Sequence, residues 1–175
     1  MEMPLLVTGA AGFIGFHTTL RLLQRGETVV GIDNLNDYYD ISLKQARLAQ
    51  LEKFGNFTFV KLDISDRGGM EALWQDHGAF RRVIHLAAQA GVRHSLIDPY
   101  TYISSNCMGH LTVLEMCRHT DNFEHLVYAS SSSVYGGNEK LPFAVDDPVN
   151  LPHSLYAVTK RSDELMSYRT LCKRL

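Results

Sequence analysis

The sequence predicts an α/β fold, a doubly wound parallel sheet with helices on both faces. Three observations lead there. Short apolar runs alternate with helix-period segments along the chain. A glycine-rich turn, Gly9-Ala10-Ala11-Gly12-Phe13-Ile14-Gly15, joins the first run to the first helical segment. No internal repeat, low-complexity tract or linker breaks the alternation, and 175 residues suit one domain with a real core.

Each element has its own signal. Leu5-Leu6-Val7 is the first strand, and Phe13 to Arg25 is a helix stopped by Gly26. Thr28 to Asp33 is the second strand, Asn34 to Asp40 a polar loop, and Ile41 to Lys53 a helix. Phe57 to Leu62 is the third strand, followed by a short helix around Met70 to Gln75. Arg82-Val83-Ile84-His85-Leu86 is the fourth strand. Asp98-Pro99 starts a helix, with an N-cap before a first-turn proline. That helix carries Ile103, Cys107, Leu111 and Leu114 as an apolar stripe. Leu126-Val127-Tyr128-Ala129 is the fifth strand. Right-handed crossovers favour the order 3-2-1-4-5. The stretch Gly136 to His153, with Pro142, Pro148 and Pro152, is long for a structureless connection and suggests a function. A helix from about Ser154 closes the chain.

Composition narrows the function. The formal net charge of −2 gives no broad field for nucleic acid or an anionic membrane. No apolar run approaches a membrane span, and Met1-Glu2-Met3-Pro4 lacks the basic start of a signal peptide. Cys107, Cys117 and Cys172 form an odd set without metal-ligand spacing, read as free thiols in the cytoplasm. The eight histidines show no metal spacing either, and His85 in an apolar strand reads as a satisfied core residue. Asp146-Asp147 reads as a loop acid pair, and Arg81-Arg82 as a solvated strand end.

The glycine turn is a dinucleotide cradle of the Rossmann type, written G-x-x-G-x-x-G. Glycine permits the tight turn, lets backbone approach a pyrophosphate and lets helix pack close to strand. The helix N-terminus offers unpaired N–H groups to phosphate. Asp33 ends the next strand, where a carboxylate accepts from ribose hydroxyls and repels a 2′-phosphate. The following residue is Asn34, not a cation, so nothing nearby is expected to neutralise that phosphate, and NAD is favoured over NADP. Asp63, ending the third strand, suits either the adenine edge or a turn.

The catalytic candidates lie at the other end of the sequence. Tyr156 and Lys160 are four apart, so a helix puts them on one face. A lysine ammonium near a phenol favours the phenolate. Ser131, in the run Ser130 to Ser133, follows the fifth strand at the carboxyl edge of the sheet, where such sheets bind ligands. Arg93 follows the fourth strand and suits either an anionic substrate or plain surface.

These segments resemble the extended short-chain dehydrogenase/reductases, and within them the nucleotide-sugar 4-epimerases, the UDP-glucuronate subgroup above all. The likeness rests on Asp33 to Asp40 with Leu43-Lys44 and Ala46-Arg47-Leu48, on His85 to Arg93, and on Tyr128 to Gly136. The resemblance implies Tyr156 as general base, Lys160 as its electrostatic partner and ribose ligand, and Ser131 as the substrate-holding hydroxyl. It implies Asn106 as a helix asparagine supporting the lysine through water, and Phe13 and Ile14 over the pyrophosphate. Ile64, Leu86, Ala87 and Ala88 join Gly9, Gly12, Gly15, Asp33, Asn34 and Asp63 as cofactor residues. Ser132 and Arg93 join Ser131 toward the sugar. Related dehydratases carry an Asp-Glu pair after the hydroxyl, where this chain has Ser132 and Ser133. The implied chemistry is therefore epimerisation of a UDP-sugar through a 4-keto intermediate. Tyr156 takes the 4-hydroxyl proton while hydride passes to NAD and returns to the opposite face.

Members of that family are roughly twice this length. On that reading residues 1–175 are the dinucleotide-binding domain, without the C-terminal strands and substrate domain. The ending Met166 to Leu175 departs from the family pattern, as a truncated or frame-disrupted product would. The expectation is little or no epimerase activity from this chain alone, the alternative being a non-catalytic dinucleotide-binding fragment. A homodimer through helices 98–119 and 154–172 is also implied.

Overall fold

The computed structural model describes residues 3–171; Cys172 and the final residues of the divergent ending lie outside them. Strands β1 (Leu5–Thr8), β2 (Val29–Asp33), β3 (Phe57–Lys61), β4 (Arg82–His85) and β5 (His125–Tyr128) form one parallel sheet. Their order is β3-β2-β1-β4-β5, as the sequence predicts. Alternation along each strand sends neighbouring side chains to opposite faces. Leu6, Val30, Ile32 and Val83 thus meet Met70, Trp74, Phe80 and Val113 on one face. Leu5, Val7 and Val29 meet Phe16, Leu23, Leu48 and Leu51 on the other. Fully burying a side chain of this kind contributes about 1.5–3 kcal/mol.

The helices are α1 (Phe13–Gln24), α2 (Ile41–Leu51), α3 (Arg67–Asp76), α4 (Pro99–Tyr102), α5 (Gly109–Arg118) and α6 (Leu155–Leu171). Aspartates start three of them. Asp40 accepts from the Ser42 amide, Asp66 from Gly69, and Asp98 from Thr101. Helix α3 begins earlier than predicted, because the Asp66 cap outweighs the poor propensity of Gly68 and Gly69. Trp74 Nε1 donates to Thr120 Oγ1 at 3.0 Å, fastening α3 to the end of α5.

The predicted stripe on the fifth helical segment is displaced. A π-helical turn, Ile103–Met108, sits between α4 and α5. It adds a residue to the turn and so rotates the side chains of α5 about the helix axis. Of Ile103, Cys107, Leu111 and Leu114 only Leu114 is buried, and Ile103 is 43% exposed. The buried face is Tyr102, Asn106, His110, Val113, Leu114 and Cys117.

Among the described residues β5 pairs only with β4, and Val127 on it is half exposed. The long segment 136–153 is braced by its own contacts. Asn138 Nδ2 donates to Pro148 O, Lys140 pairs with Asp147 at 2.7 Å, and Asp147 also accepts from the Ala144 amide. Asp147 is a loop residue, as expected.

Candidate active site

The glycine turn leaves β1 and closes against the loop after β4. Gly9 has φ +71°, and a Cβ there would lie 2.8 Å from Ala87 N. A Cβ on Gly15 would lie 1.9 Å from Gly9 O, so α1 could not pack onto the turn. Gly12 caps α1 without a side chain to occupy the first-turn N–H groups. A trough opens here, lined by Gly9, Gly12, Asp33, Asn34, Asp63, Ile64, Leu86, Ala87 and Ala88. Phe13 and Ile14 stand exposed at the start of α1, 68% and 62%. These features fit a dinucleotide: a Cβ-free cradle, uncapped amides and a strand-end carboxylate.

Asp33 is not the bare carboxylate the sequence suggests. It accepts from the amides of Ala11 and Leu35, and Lys44 Nζ lies 3.5 Å away. Both side chains are buried, and Lys44 also donates to Asn36 Oδ1 at 2.9 Å. The expectation that no cation stands near Asp33 is therefore wrong. The first turn of α2 delivers a lysine from eleven residues away, beyond the reach of a neighbour-by-neighbour reading. Asp63 proves a turn residue as well as a wall of the trough. Its Oδ1 accepts from the Ser65 amide and hydroxyl, and its Oδ2 accepts from Asn34 Nδ2. Burial pushes this carboxyl up, but the bonds from Asn34 and Ser65 outweigh it and hold it below the usual range.

Behind the trough, the Thr8 hydroxyl accepts from the amides of Leu86 (3.1 Å) and Ala87 (3.0 Å). With both lone pairs used, it gives its proton to His85 Nδ1 at 2.7 Å. His85 is then neutral, and burial keeps it well below the usual histidine range. It is the satisfied core residue the sequence suggests.

The catalytic candidates gather at the ends of β5 and α6. The Ser154 hydroxyl accepts from the Ala157 amide and starts α6. Lys160 Nζ donates to Ala129 O at 3.0 Å, so α6 is tied to the strand end two residues before Ser131. Ser131 Oγ accepts from the Ser133 amide at 3.2 Å, and the short 3₁₀ turn Ser132–Tyr135 packs on α6. The Tyr156 ring meets Tyr102 edge-on at 6.2 Å, and Tyr102 donates to Ala90 O and Gly91 O. Asn106 bonds directly to the residue before Lys160. Its Oδ1 accepts from the Gln89 amide, and its Nδ2 donates to Gln89 O and to the hydroxyl of Thr159, the residue before the lysine. Ser132 and Arg93 are exposed and make no side-chain hydrogen bond with a described residue.

A profile of the GDP-mannose 4,6 dehydratase family matches residues 6–171. The chain belongs to that family. It is 57% identical over 95% of its length to an uncharacterized 37.6 kDa protein of Escherichia coli O111:H-, covering 49% of it. It is 48% identical to UDP-glucuronate 4-epimerase 3 of Arabidopsis thaliana, over 93% of this chain and 37% of that one. A crystal structure of UDP-glucuronic acid 4-epimerase from Bacillus cereus, in complex with UDP-glucuronic acid and NAD, superposes with a TM-score of 0.85 at 38% identity. That match covers 96% of this chain and 52% of the other. The chain spans about half the length of the curated relatives it matches. The resemblance read from the glycine turn, the serine run and the tyrosine–lysine spacing is upheld by these relatives.

The family resemblance did not single out Asp163. Lys160 Nζ lies 3.1 Å from Asp163 Oδ2, with both side chains buried. The spacing of three on one helix was legible as a pair. Lys44, Gln89 and Tyr102 had no such signal, since each contact crosses between elements.

Proposed function

We propose that this chain carries the cofactor-binding and proton-transfer part of a nucleotide-sugar 4-epimerase acting on a UDP-sugar, UDP-glucuronate and UDP-galacturonate being the pair interconverted. One observation carries the reading: the helix bearing Tyr156 and Lys160 is bonded to the end of β5 at Ala129, two residues before Ser131, at the same edge of the parallel sheet as the glycine cradle after β1. NAD bound in the cradle would supply the hydride acceptor and donor. Gly9, Gly12 and the first amides of α1 would hold its pyrophosphate. Asp33 would take the adenosine ribose, and Lys160 the nicotinamide ribose. Tyr156 takes the proton from the sugar 4-hydroxyl and returns it, with a cation one helical turn away favouring its phenolate. Ser131 holds the reacting oxygen, with Ser132 beside it and Arg93 toward the sugar acid. Residues 1–175 are read as one dinucleotide-binding domain. A cytoplasmic setting suits Cys107 and Cys117, both free thiols. The half-exposed Ile103, Met108 and Leu165 support a contact with a second copy through the helical stretch from α4 to α5 and through α6.

The test is conversion of UDP-glucuronate by the purified chain with NAD, followed by chromatography of the sugar nucleotides. From this chain alone inversion at C4 is expected to be slow, and Tyr156→Phe should abolish what there is with NAD binding kept. NAD binding without inversion at any protein concentration would favour a non-catalytic dinucleotide-binding protein.

A further inference from the structure

Lys160 serves the proton transfer proposed for Tyr156, but nothing in that reading uses its buried partner Asp163. An ammonium has three N–H donors. Here Ala129 O takes one at 3.0 Å and Asp163 Oδ2 another at 3.1 Å. One N–H remains for the tyrosine or a ribose. The carboxylate side chain is 1% exposed, and its Oδ1 has no hydrogen-bond partner among the described residues. Burying a carboxylate with one oxygen unsatisfied costs stability. A better-packed neutral side chain would avoid that cost, so the charge itself calls for an explanation.

We propose that Asp163 is the positioning residue of the tyrosine–lysine pair: its carboxylate fixes the Lys160 ammonium against Ala129 and sets how much of that positive charge reaches Tyr156. This rests on the assignment of Tyr156 as base and Lys160 as its cation. The physical reason is short range. A carboxylate 3.1 Å from an ammonium turns a point charge into a dipole, whose field falls faster with distance. Tyr156, one helical turn back, then feels a weakened cation. A lysine stem is flexible, and without Asp163 only Ala129 O would hold it. The other titratable groups around the pair are Cys107 and His110 from the helix across it, His85 on β4 and Glu164 on α6 itself. Burial keeps both histidines in the neutral form at neutral pH, so they do not substitute for the carboxylate. Burial likewise raises Cys107, which stays a neutral thiol.

The test reads the ionised fraction of the Tyr156 phenol at fixed alkaline pH, by NMR of the unliganded 175-residue chain carrying ¹³Cζ-tyrosine, with Tyr156→Phe assigning the signal. Asp163→Asn keeps the shape and removes the charge. It should raise the phenolate-to-phenol ratio about threefold, the worth of a charge about two helical turns away at an effective dielectric between those of protein and water. Lys160→Met should lower that ratio. If Lys160→Met leaves Tyr156 unmoved, the tyrosine–lysine assignment fails and the proposal falls with it. If Lys160→Met lowers the ratio but Asp163→Asn leaves it unchanged or lowers it, the role of Asp163 alone is overturned. Should Asp163→Asn not fold, the ¹³Cγ titration of Asp163 replaces it. Lys160→Met must move that titration up from about 6, and an unmoved curve overturns the proposal.

Discussion

Asn106 Nδ2 donates to Thr159 Oγ1 at 3.0 Å, joining the π-helical turn to the helix that carries Tyr156 and Lys160. The same amide group closes two bonds with the main chain of Gln89 after β4. One side chain thus ties together three elements that are far apart in sequence. The site's two halves, cradle and catalytic helix, meet through it.

Asn106→Ala should therefore be costly. It leaves the Gln89 amide and carbonyl without their partner in a buried place, and the Thr159 hydroxyl with only its own donation to Tyr156 O. Each such loss costs about 1 kcal/mol or more, so a drop of about 3 kcal/mol in urea unfolding is expected. A drop below about 1 kcal/mol would mean that water replaces the amide.

Asp33 and Lys44 should set cofactor choice together. Asp33→Ala removes the ribose acceptor and frees a buried ammonium. NAD affinity should fall about tenfold, the worth of one charged hydrogen bond, while NADP affinity rises. Adding Lys44→Ala should cancel the NADP gain. Calorimetric titration of the two dinucleotides against the single and double variants checks this, and NADP binding as tight as NAD in the unaltered chain would contradict it.

Two buried groups should titrate against each other. His110 is pushed down to about 4 by burial first, with Lys160 adding to it, while the main-chain carbonyl of Asp163 opposes. Its stability contribution is full above the unfolded value of about 6.5 and is lost as pH falls toward 4. Asp163 is pushed up to about 6 by burial, against the opposing effect of Lys160. Its contribution is full below the ordinary aspartate value of 3.8 and is lost as pH rises through 6. Each is worth about 3 kcal/mol, so across pH 4–6 they largely cancel. Asp163→Asn removes one side of the balance. Urea unfolding of that variant should then lose about 3 kcal/mol more than the parent between about pH 6.5 and 4. Parallel curves for the two proteins would refute the pairing.

The exposed apolar residues on the long helices should support self-association. Ile103, Met108, Leu165 and Tyr168 are 43–62% exposed, which is unusual for several large apolar side chains on helices packed together. Light scattering at high micromolar concentration should report a dimer, and Ile103→Asp with Leu165→Asp should return a monomer. A monomeric parent chain under those conditions would remove the idea.

Strand order, the glycine cradle and the helix pairing of Tyr156 with Lys160 were all legible in the amino-acid order. They follow from local patterns and one handedness rule: continuous apolar runs at β1 and β2, right-handed crossovers, three glycines at fixed spacing, and two residues one helical turn apart. His85 was legible as a core residue because an apolar strand around a lone histidine favours a neutral, bonded ring. The contacts between elements were settled only by folding. The π-helical turn rotated the buried face from Ile103 and Leu111 to Asn106 and His110, because one extra residue in a turn shifts every later side chain. Lys44 reached Asp33, and Asn106 reached Thr159, because packing sets which side chains meet once the crossovers close. Periodicity records which face a residue shares on its own element. It holds no record of the partner that a neighbouring element brings, as β5 brings the Ala129 carbonyl to Lys160.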